Sequence, residues 1–168
     1  NCINNDLANN YGNLCQRVFS FIKKNCNNKI PESKDLQDAD NKLLLNIKDN
    51  IPNLLKFINN QNLNEYIKLV VNFSFEANKY FNDSEPWAVK KSDLKRMNAI
   101  LFTISQQIKN ISILLSPIIP DATSKVLRAM NIEEKDISIE KIKNENIFDH
   151  NKDLKDLKIL FTKIDYDN

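Results

Sequence analysis

The stretch Asn5–Ile22, NDLANNYGNLCQRVFSFI, has the apolar periodicity of one amphipathic helix. At about 100° per residue, one face collects apolar side chains spaced three and four residues apart, as in a helix bundle: Leu7, Tyr11, Leu14, Val18 and Phe21. The opposite face carries Asn9, Asn13 and Arg17, which are spaced four residues apart. Packing does not require this second row, so it is a candidate recognition surface. The only glycine of the chain, Gly12, also lies here and predicts close approach by a neighbouring helix or a ligand.

Length and composition are those of one globular domain with a single core. The chain has 168 residues, of which 42% are hydrophobic and 27% charged. A net charge of +2 does not by itself indicate nucleic-acid binding. The sequence shows no signal peptide and no apolar run near the roughly 20 residues of a membrane span. We therefore expect a cytoplasmic protein without membrane contact.

The remaining sequence predicts three or four more helices with short connections. These span residues 38–60, 63–81, about 92–115 and 121–130, and Ser92 or Asp93 and then Asp121 are the expected caps of the last two. Pro52 is expected to kink or interrupt the first of them. The predicted fold is all-α, an antiparallel bundle of four to five helices with a short C-terminal tail.

The character of the chain changes at Asn131, which divides a predicted bundle, residues 1–131, from a predicted tail, residues 132–168. Acidic and basic residues alternate in the tail, and DISIEKI and LKILFTKI are its β-like stretches. A partly ordered extension is one interpretation. We expect a tail packed back on the bundle, because Ile159, Leu160 and Phe161 are too apolar to be left in water.

No catalytic constellation is visible in the sequence. The lone histidine, His150, lies in a charged segment, the three cysteines have no CxxC spacing, and one glycine cannot build a phosphate loop. We therefore expect no metal site, no cofactor and no catalytic residue in this chain, and look for a binding surface instead.

The polar row and the single tryptophan, Trp87, have the chemistry of single-stranded RNA recognition. Amide and guanidinium groups can read base edges while an indole stacks on a base. Nearby basic side chains are candidate phosphate contacts: Lys24, Lys90, Lys91, Lys95 and Arg96. Each residue also has a structural alternative. Asn9 and Asn13 could be a solvated helix face, Arg17 could pair with a carboxylate, and an isolated tryptophan more often lies in the core.

A family resemblance favours the RNA interpretation. NNDLANNYGNLCQR, followed by EANKYFNDSEPWAVKK, resembles the anticodon-binding domain of methionyl-tRNA synthetase, a class I aminoacyl-tRNA synthetase. LSPIIPDATSKVL resembles the end of that helical domain. ILFTKID resembles the terminal segment of bacterial members, with Thr162 and Lys163 where Pro-Arg is usual.

The resemblance assigns recognition of the CAU anticodon to Asn9, Asn13, Arg17 and Trp87, with Pro86 shaping the turn that presents the indole. Asn10 offers an alternative register for Asn9. From the sequence, Pro86 is expected to hold Glu85 in an extended conformation.

The resemblance also implies an enzyme of which this chain is one part. Such a ligase attaches methionine to initiator and elongator methionine tRNA, using ATP with Mg²⁺. The HIGH and KMSKS signatures of its catalytic half do not occur in this sequence, so we expect the chain alone to be inactive. The OB-fold module that dimerises some relatives is not seen either, which favours a monomer. The alternatives are the anticodon domain of a leucine, isoleucine or valine synthetase, and a helical protein-interaction module without RNA binding.

Overall fold

The computed structural model describes residues 2–142 and 146–156, with residues 2–6 described as backbone only. Seven α-helices and one 3₁₀ turn, Glu134–Asp136, make up the regular structure of this part. The helices are α1 Cys2–Asn25, α2 Asp38–Asn59, α3 Leu63–Ser84, α4 Pro86–Val89, α5 Leu94–Leu115, α6 Pro120–Ala129 and α7 Ile139–Ile142. The prediction of an all-α fold is confirmed.

The four long helices run alternately up and down. Tyr80, near the end of α3, hydrogen-bonds to Asp40 at the start of α2, and Asp40 also binds Arg96 at the start of α5. At the other end of the bundle, the Tyr66 hydroxyl at the start of α3 donates to the Leu114 carbonyl at the end of α5 (2.6 Å). Helix α3 is therefore antiparallel to both α2 and α5.

Helix α1 lies beside α3 and runs in the same direction. Asn10 contacts Ser74, and Arg17 contacts Asn82 about two turns further along both helices. Gly12 is buried in this part of α1, which packs against α3 and α5. The expectation of a close neighbour at the glycine therefore fits its burial.

Helix α5 is the centre of the bundle, and every residue from 99 to 115 is buried. The reason is that α1, α2, α3, α4, α6 and α7 all contact it. Its sequence shows one apolar stripe, yet polar residues on its other faces are also enclosed, among them Gln107 and Lys109. The Lys109 ammonium has no hydrogen-bond partner among the described residues and lies 5.9 Å from the centroid of the Phe148 ring.

Helix boundaries depart from the sequence predictions at the prolines. Helix α2 continues through Pro52, so the expected interruption there is wrong. Asp93 caps α5 by accepting from the Arg96 amide (3.0 Å), as expected. The N-cap of α6 is Ile119 rather than Asp121, because Pro120 takes the first helical position, where its missing N–H is no loss.

Residues 132–156 contribute several buried apolar side chains to the core: Ile132, Ile142, Phe148 and Leu154. The Leu154 amide donates to the Asn28 carbonyl (2.8 Å), and His150 Nδ1 donates to the Ile30 carbonyl (2.7 Å). DISIEKI, residues 136–142, is not a strand: it begins with the last residue of the 3₁₀ turn and ends with α7, so its β-like character is not realised. LKILFTKI lies outside the described residues, and the division at residue 131 stays a prediction.

No helix in the part of the chain that the structure describes combines the length and the apolar character needed to cross a bilayer.

Candidate nucleic-acid interface

Helix α1 separates its two faces as the periodicity predicts. Leu7, Tyr11, Leu14 and Val18 are buried, while the candidate residues Asn9, Asn13 and Arg17 are exposed. The exposed row places two amides and one guanidinium on consecutive turns of a single helix. The two amides can donate and accept hydrogen bonds and the guanidinium can donate them, which suits the donors and acceptors of base edges.

The structure distinguishes Asn9 from Asn10. The Asn10 side chain is half-buried against α3, where its Oδ1 accepts from Ser74 Oγ (2.6 Å) and from Asn78 Nδ2 (2.8 Å). Asn10 thus links α1 to α3, and its amide oxygen is already occupied. The exposed side chain of Asn9 is the one that can meet a ligand.

Phe81 on α3 joins the two parts of the candidate site. The Arg17 guanidinium lies 5.2 Å from the centroid of its ring, and the Trp87 ring lies 5.7 Å away, edge-on at 71°. Phe21 of α1 contacts the same ring at 6.5 Å. Residues separated by 70 positions, Arg17 and Trp87, are therefore neighbours across one buried aromatic ring. We call Arg17, Phe81 and Trp87 the aromatic platform.

Among the described residues, Arg17 is held by an amide and not by a carboxylate. Its Nη2 donates to Asn82 Oδ1 at 2.6 Å. This contact orients the guanidinium without neutralising it, and the other N–H groups of the fork are left for a ligand. The carboxylate alternative is not what the structure shows.

Trp87 is presented by an unusual turn between α3 and α5. Glu85 is not extended, as predicted from the following proline, but left-handed, at φ 46° and ψ 58°. Glu85 is both the C-cap of α3 and the N-cap of α4. Its carbonyl begins α4 by accepting hydrogen bonds from the amides of Ala88 (2.9 Å) and Val89 (3.0 Å). Pro86 is buried at the first position of α4, and the Trp87 side chain remains 38% exposed. The indole is therefore a partly open face and not a core residue.

The candidate phosphate contacts differ in their surroundings. Lys24 and Lys91 are exposed. Lys90 Nζ donates to Asn25 Oδ1 (3.0 Å) and lies 5.8 Å from the Phe21 ring, next to the aromatic platform. Lys95 pairs with Asp35 at 3.4 Å.

Arg96 is engaged inside the bundle and is not a phosphate contact. Both of its terminal nitrogens donate to the buried carboxylate of Asp40, at 2.6 and 3.0 Å. Arg96 is a candidate phosphate contact in the sequence because it follows Trp87 closely. The sequence does not show that this side of the first turn of α5 faces the interior of the bundle.

Sequence reasoning missed two residues of the interface, Phe81 and Asn82. Phe81 is the last residue of the predicted helix 63–81, and Asn82 lies just beyond it. Helix α3 in fact continues to Ser84. The signal that could have found them is their position four to six residues before the Pro86–Trp87 pair.

In the described part of the chain, no group of three or more His, Cys, Asp or Glu side chains could hold a metal ion.

The family model, the related sequences and the related structures all indicate the same protein family. Residues 30–168 match the family model described as the anticodon binding domain of methionyl tRNA ligase. The chain is 35% identical over 127 residues to the methionine–tRNA ligase of Brucella suis, and 29% identical over 134 residues to that of Thermotoga maritima. The alignments cover 76% and 79% of this chain.

The chain spans about a quarter of the length of the Brucella suis enzyme, 25%, and 21% of the Thermotoga maritima enzyme. The crystal structure of free Mycobacterium tuberculosis methionyl-tRNA synthetase superposes with a TM-score of 0.83 at 25% identity, covering 91% of this chain and 31% of that one. These matches favour the methionine family over a leucine, isoleucine or valine synthetase and over an interaction module. The chain belongs to the family of anticodon-binding domains of methionyl-tRNA ligases.

Proposed function

We propose that the exposed row of α1 and the aromatic platform together recognise the CAU anticodon of methionine tRNA. The observation that carries this proposal is the meeting of Arg17 and Trp87 across Phe81. An exposed guanidinium beside a partly open indole provides hydrogen bonding and stacking within the span of one unstacked nucleotide. Asn9 and Asn13 continue the same surface along α1.

Each group has a distinct role in this proposal. Trp87 stacks on the first anticodon base, the cytosine, because the residue is 38% exposed and is held in an edge-to-face contact with Phe81. Arg17, oriented by Asn82, donates to base edges or to a phosphate. Asn9 and Asn13 read donor and acceptor groups on the next bases. Pro86 and the left-handed Glu85 set the direction of the indole.

Lys24, Lys90 and Lys91 supply the phosphate contacts of the proposed complex. Lys95 is a weaker candidate, since a ligand would have to compete with Asp35. With about two to four phosphates neutralised, affinity for an anticodon stem–loop should fall about 10- to 150-fold between 50 and 200 mM salt, through counterion release. Filter binding over this range measures the slope, and an affinity independent of salt would contradict these contacts.

The parent protein is proposed to be a cytoplasmic, monomeric ligase that uses ATP and Mg²⁺ to attach methionine to initiator and elongator methionine tRNA. The family membership of this chain supports that activity. Residues outside this chain would bind ATP, Mg²⁺ and methionine. The part described here would select the tRNA.

The test measures binding of a fluorescent CAU stem–loop to the chain and to single variants. Arg17→Ala and Trp87→Ala should each weaken binding by about 1–3 kcal/mol, the value of one bidentate base contact or one stacked base. In the parent chain, the stem–loop should also quench or shift the emission of Trp87, the only tryptophan. Replacing the first anticodon base by G should remove most of this change.

Two variants control for charge and for exposed aromatic area. Arg128 on α6 is an exposed arginine outside the platform, and Phe75 on α3 is an exposed aromatic ring. Arg128→Ala and Phe75→Ala should bind the stem–loop as the parent does. Equal binding of CAU and altered loops, or unchanged binding by Trp87→Ala, would refute the assignment of the anticodon site.

A further inference from the structure

The carboxylate of Asp40 is buried where α2, α3 and α5 meet, and it accepts hydrogen bonds from three different residues. Arg96 donates to it through Nη1 (2.6 Å) and Nη2 (3.0 Å), the Gln37 amide donates at 2.9 Å, and the Tyr80 hydroxyl donates to Oδ1. Burial alone raises the pKa of this carboxyl, but the donors from Arg96, Tyr80 and Gln37 and the charge of Arg96 outweigh burial and lower the pKa. Asp40 is therefore an anion at neutral pH.

Two of these donors bracket the segment that presents Trp87. Tyr80 directly precedes Phe81, and Arg96 lies in the first turn of α5. The segment of residues 81–95 is therefore flanked at both ends by a residue that is hydrogen-bonded to the Asp40 carboxylate. This segment contains the Phe81 ring, Asn82, all of α4 and the capping residue of α5. The carboxylate thus joins both ends of the turn at a point inside the bundle.

The bracketed segment has features that need support from outside it. Glu85 occupies the left-handed region without being glycine, and such a conformation persists only when the surroundings hold it. Helix α4 is a single turn, too short to be stable by itself. Trp87 contacts the Phe81 ring edge-to-face and stays 38% exposed. Its direction therefore depends on where the two ends of the turn are held.

We propose that Asp40 is a positioning residue, which, through Tyr80 and Arg96, holds the turn so that Trp87 and Phe81 form the aromatic platform. The RNA-binding consequence of this role rests on the function proposed above. Asp40 does not touch the nucleic acid itself. It sets how often the indole occupies the orientation in which it stacks.

Tyr80→Phe is the most selective test, because it removes one hydroxyl and leaves the ring and the Asp40–Arg96 pair in place. Its matched control is Tyr66→Phe. Tyr66 is also a buried tyrosine on α3, but its hydroxyl donates to the Leu114 carbonyl at the opposite end of the bundle. Both variants lose one buried hydrogen bond on the same helix, so general destabilisation affects them alike.

Urea titration first identifies a temperature at which the parent and every variant are fully folded without urea. Two quantities are then measured at that temperature. The first is acrylamide quenching of Trp87 without RNA, and the second is affinity for the CAU stem–loop. We expect Tyr80→Phe to increase quenching and to weaken binding about 3- to 10-fold. In this variant a larger fraction of the molecules holds the Trp87 indole in an orientation that cannot stack, and binding must restore the stacking orientation. Tyr66→Phe should match the parent in both. Arg96→Lys, which cannot bind the carboxylate with a planar fork, should change both quantities in the same direction as Tyr80→Phe.

The outcomes separate this proposal from the proposed function. If Tyr80→Phe quenches like the parent, or if Tyr66→Phe changes quenching equally, Asp40 has no positioning role. If the parent does not discriminate CAU from the altered loop, the proposed function fails, and the quenching comparison by itself decides whether Asp40 positions Trp87. If quenching increases while binding of CAU is unchanged, the indole is positioned by Asp40 but its position does not serve RNA binding, which overturns the proposal as stated.

Discussion

Replacing Arg96 with methionine is expected to lower the free energy of unfolding by about 3–5 kcal/mol at neutral pH, because it leaves the Asp40 charge buried without its cationic partner. The Arg96 side chain is 17% exposed and that of Asp40 fully buried, so water cannot replace the lost contact. Urea unfolding followed by circular dichroism measures the change.

The exposed pair Lys79–Asp83 is the matched control. Its length of 2.7 Å is close to the 2.6 Å of the buried pair, yet its side chains are 77% and 64% exposed. Lys79→Met should therefore leave the free energy of unfolding almost unchanged. A similar loss in both variants would show that burial does not determine the strength of the Asp40 pair.

The pH dependence of the Arg96 variant has a definite sign. In the parent, the pKa of Asp40 is lowered, so its contribution to stability is complete above its unfolded value of about 3.9 and is lost as pH falls through the folded pKa. The difference between parent and Arg96→Met should therefore shrink in acid. A difference that stays constant below about pH 4 would mean that Asp40 is not the group left unpaired.

Replacing Lys109 with methionine is expected to stabilise the bundle by about 3 kcal/mol at about pH 7. The pKa of this ammonium is lowered to about 8, mainly by burial in the core and also by the nearby charge of Lys48, while the charge of Asp136 opposes both. Below this pKa the folded protein must hold a charge in its core, where no described residue forms a hydrogen bond with it. Methionine has a similar length and no charge to bury.

The gain from Lys109→Met should disappear as pH rises. Between about pH 8 and 10.5 the unfolded chain binds more protons at this site than the folded chain, so the stability of the parent increases with pH toward that of the variant. Lys42→Met, at an exposed position on α2, should change little at any pH. A gain for Lys109→Met that persisted undiminished at about pH 10.5 would assign it to packing instead of charge.

The amino-acid sequence by itself determined the four long helices and α6, together with the inward face of α1. The apolar spacing of α1 predicts which side chains are buried, and the same spacing leaves Asn9, Asn13 and Arg17 outside. This works because burial of one face follows from the 3.6-residue period, which is a local property. The order of the sequence motifs likewise indicates the family.

Only the tertiary structure decided how the candidate site is assembled. Arg17, Phe81 and Trp87 lie on three helices, and whether they meet depends on how α1 and α3 pack side by side. The preference of Glu85 for extended geometry before proline is a local tendency. It is overridden where the Glu85 carbonyl starts α4 and Pro86 is buried against the bundle.

The charged residues of the interior show the same division. In the sequence Asp40 is one acid at a helix start, Arg96 is one base after a tryptophan, and Lys109 is one polar residue beside others such as Gln107 and Asn110. Lys109 is buried because six other helices in the described part of the chain contact α5, and Asp40 is buried where α2 meets α3 and α5. Periodicity indicates which face of a helix is apolar, but the number of neighbours around that helix is set by the packing of the whole chain. That packing makes Asp40 the shared acceptor of Tyr80 and Arg96 and leaves Lys109 without a hydrogen-bond partner among the described residues.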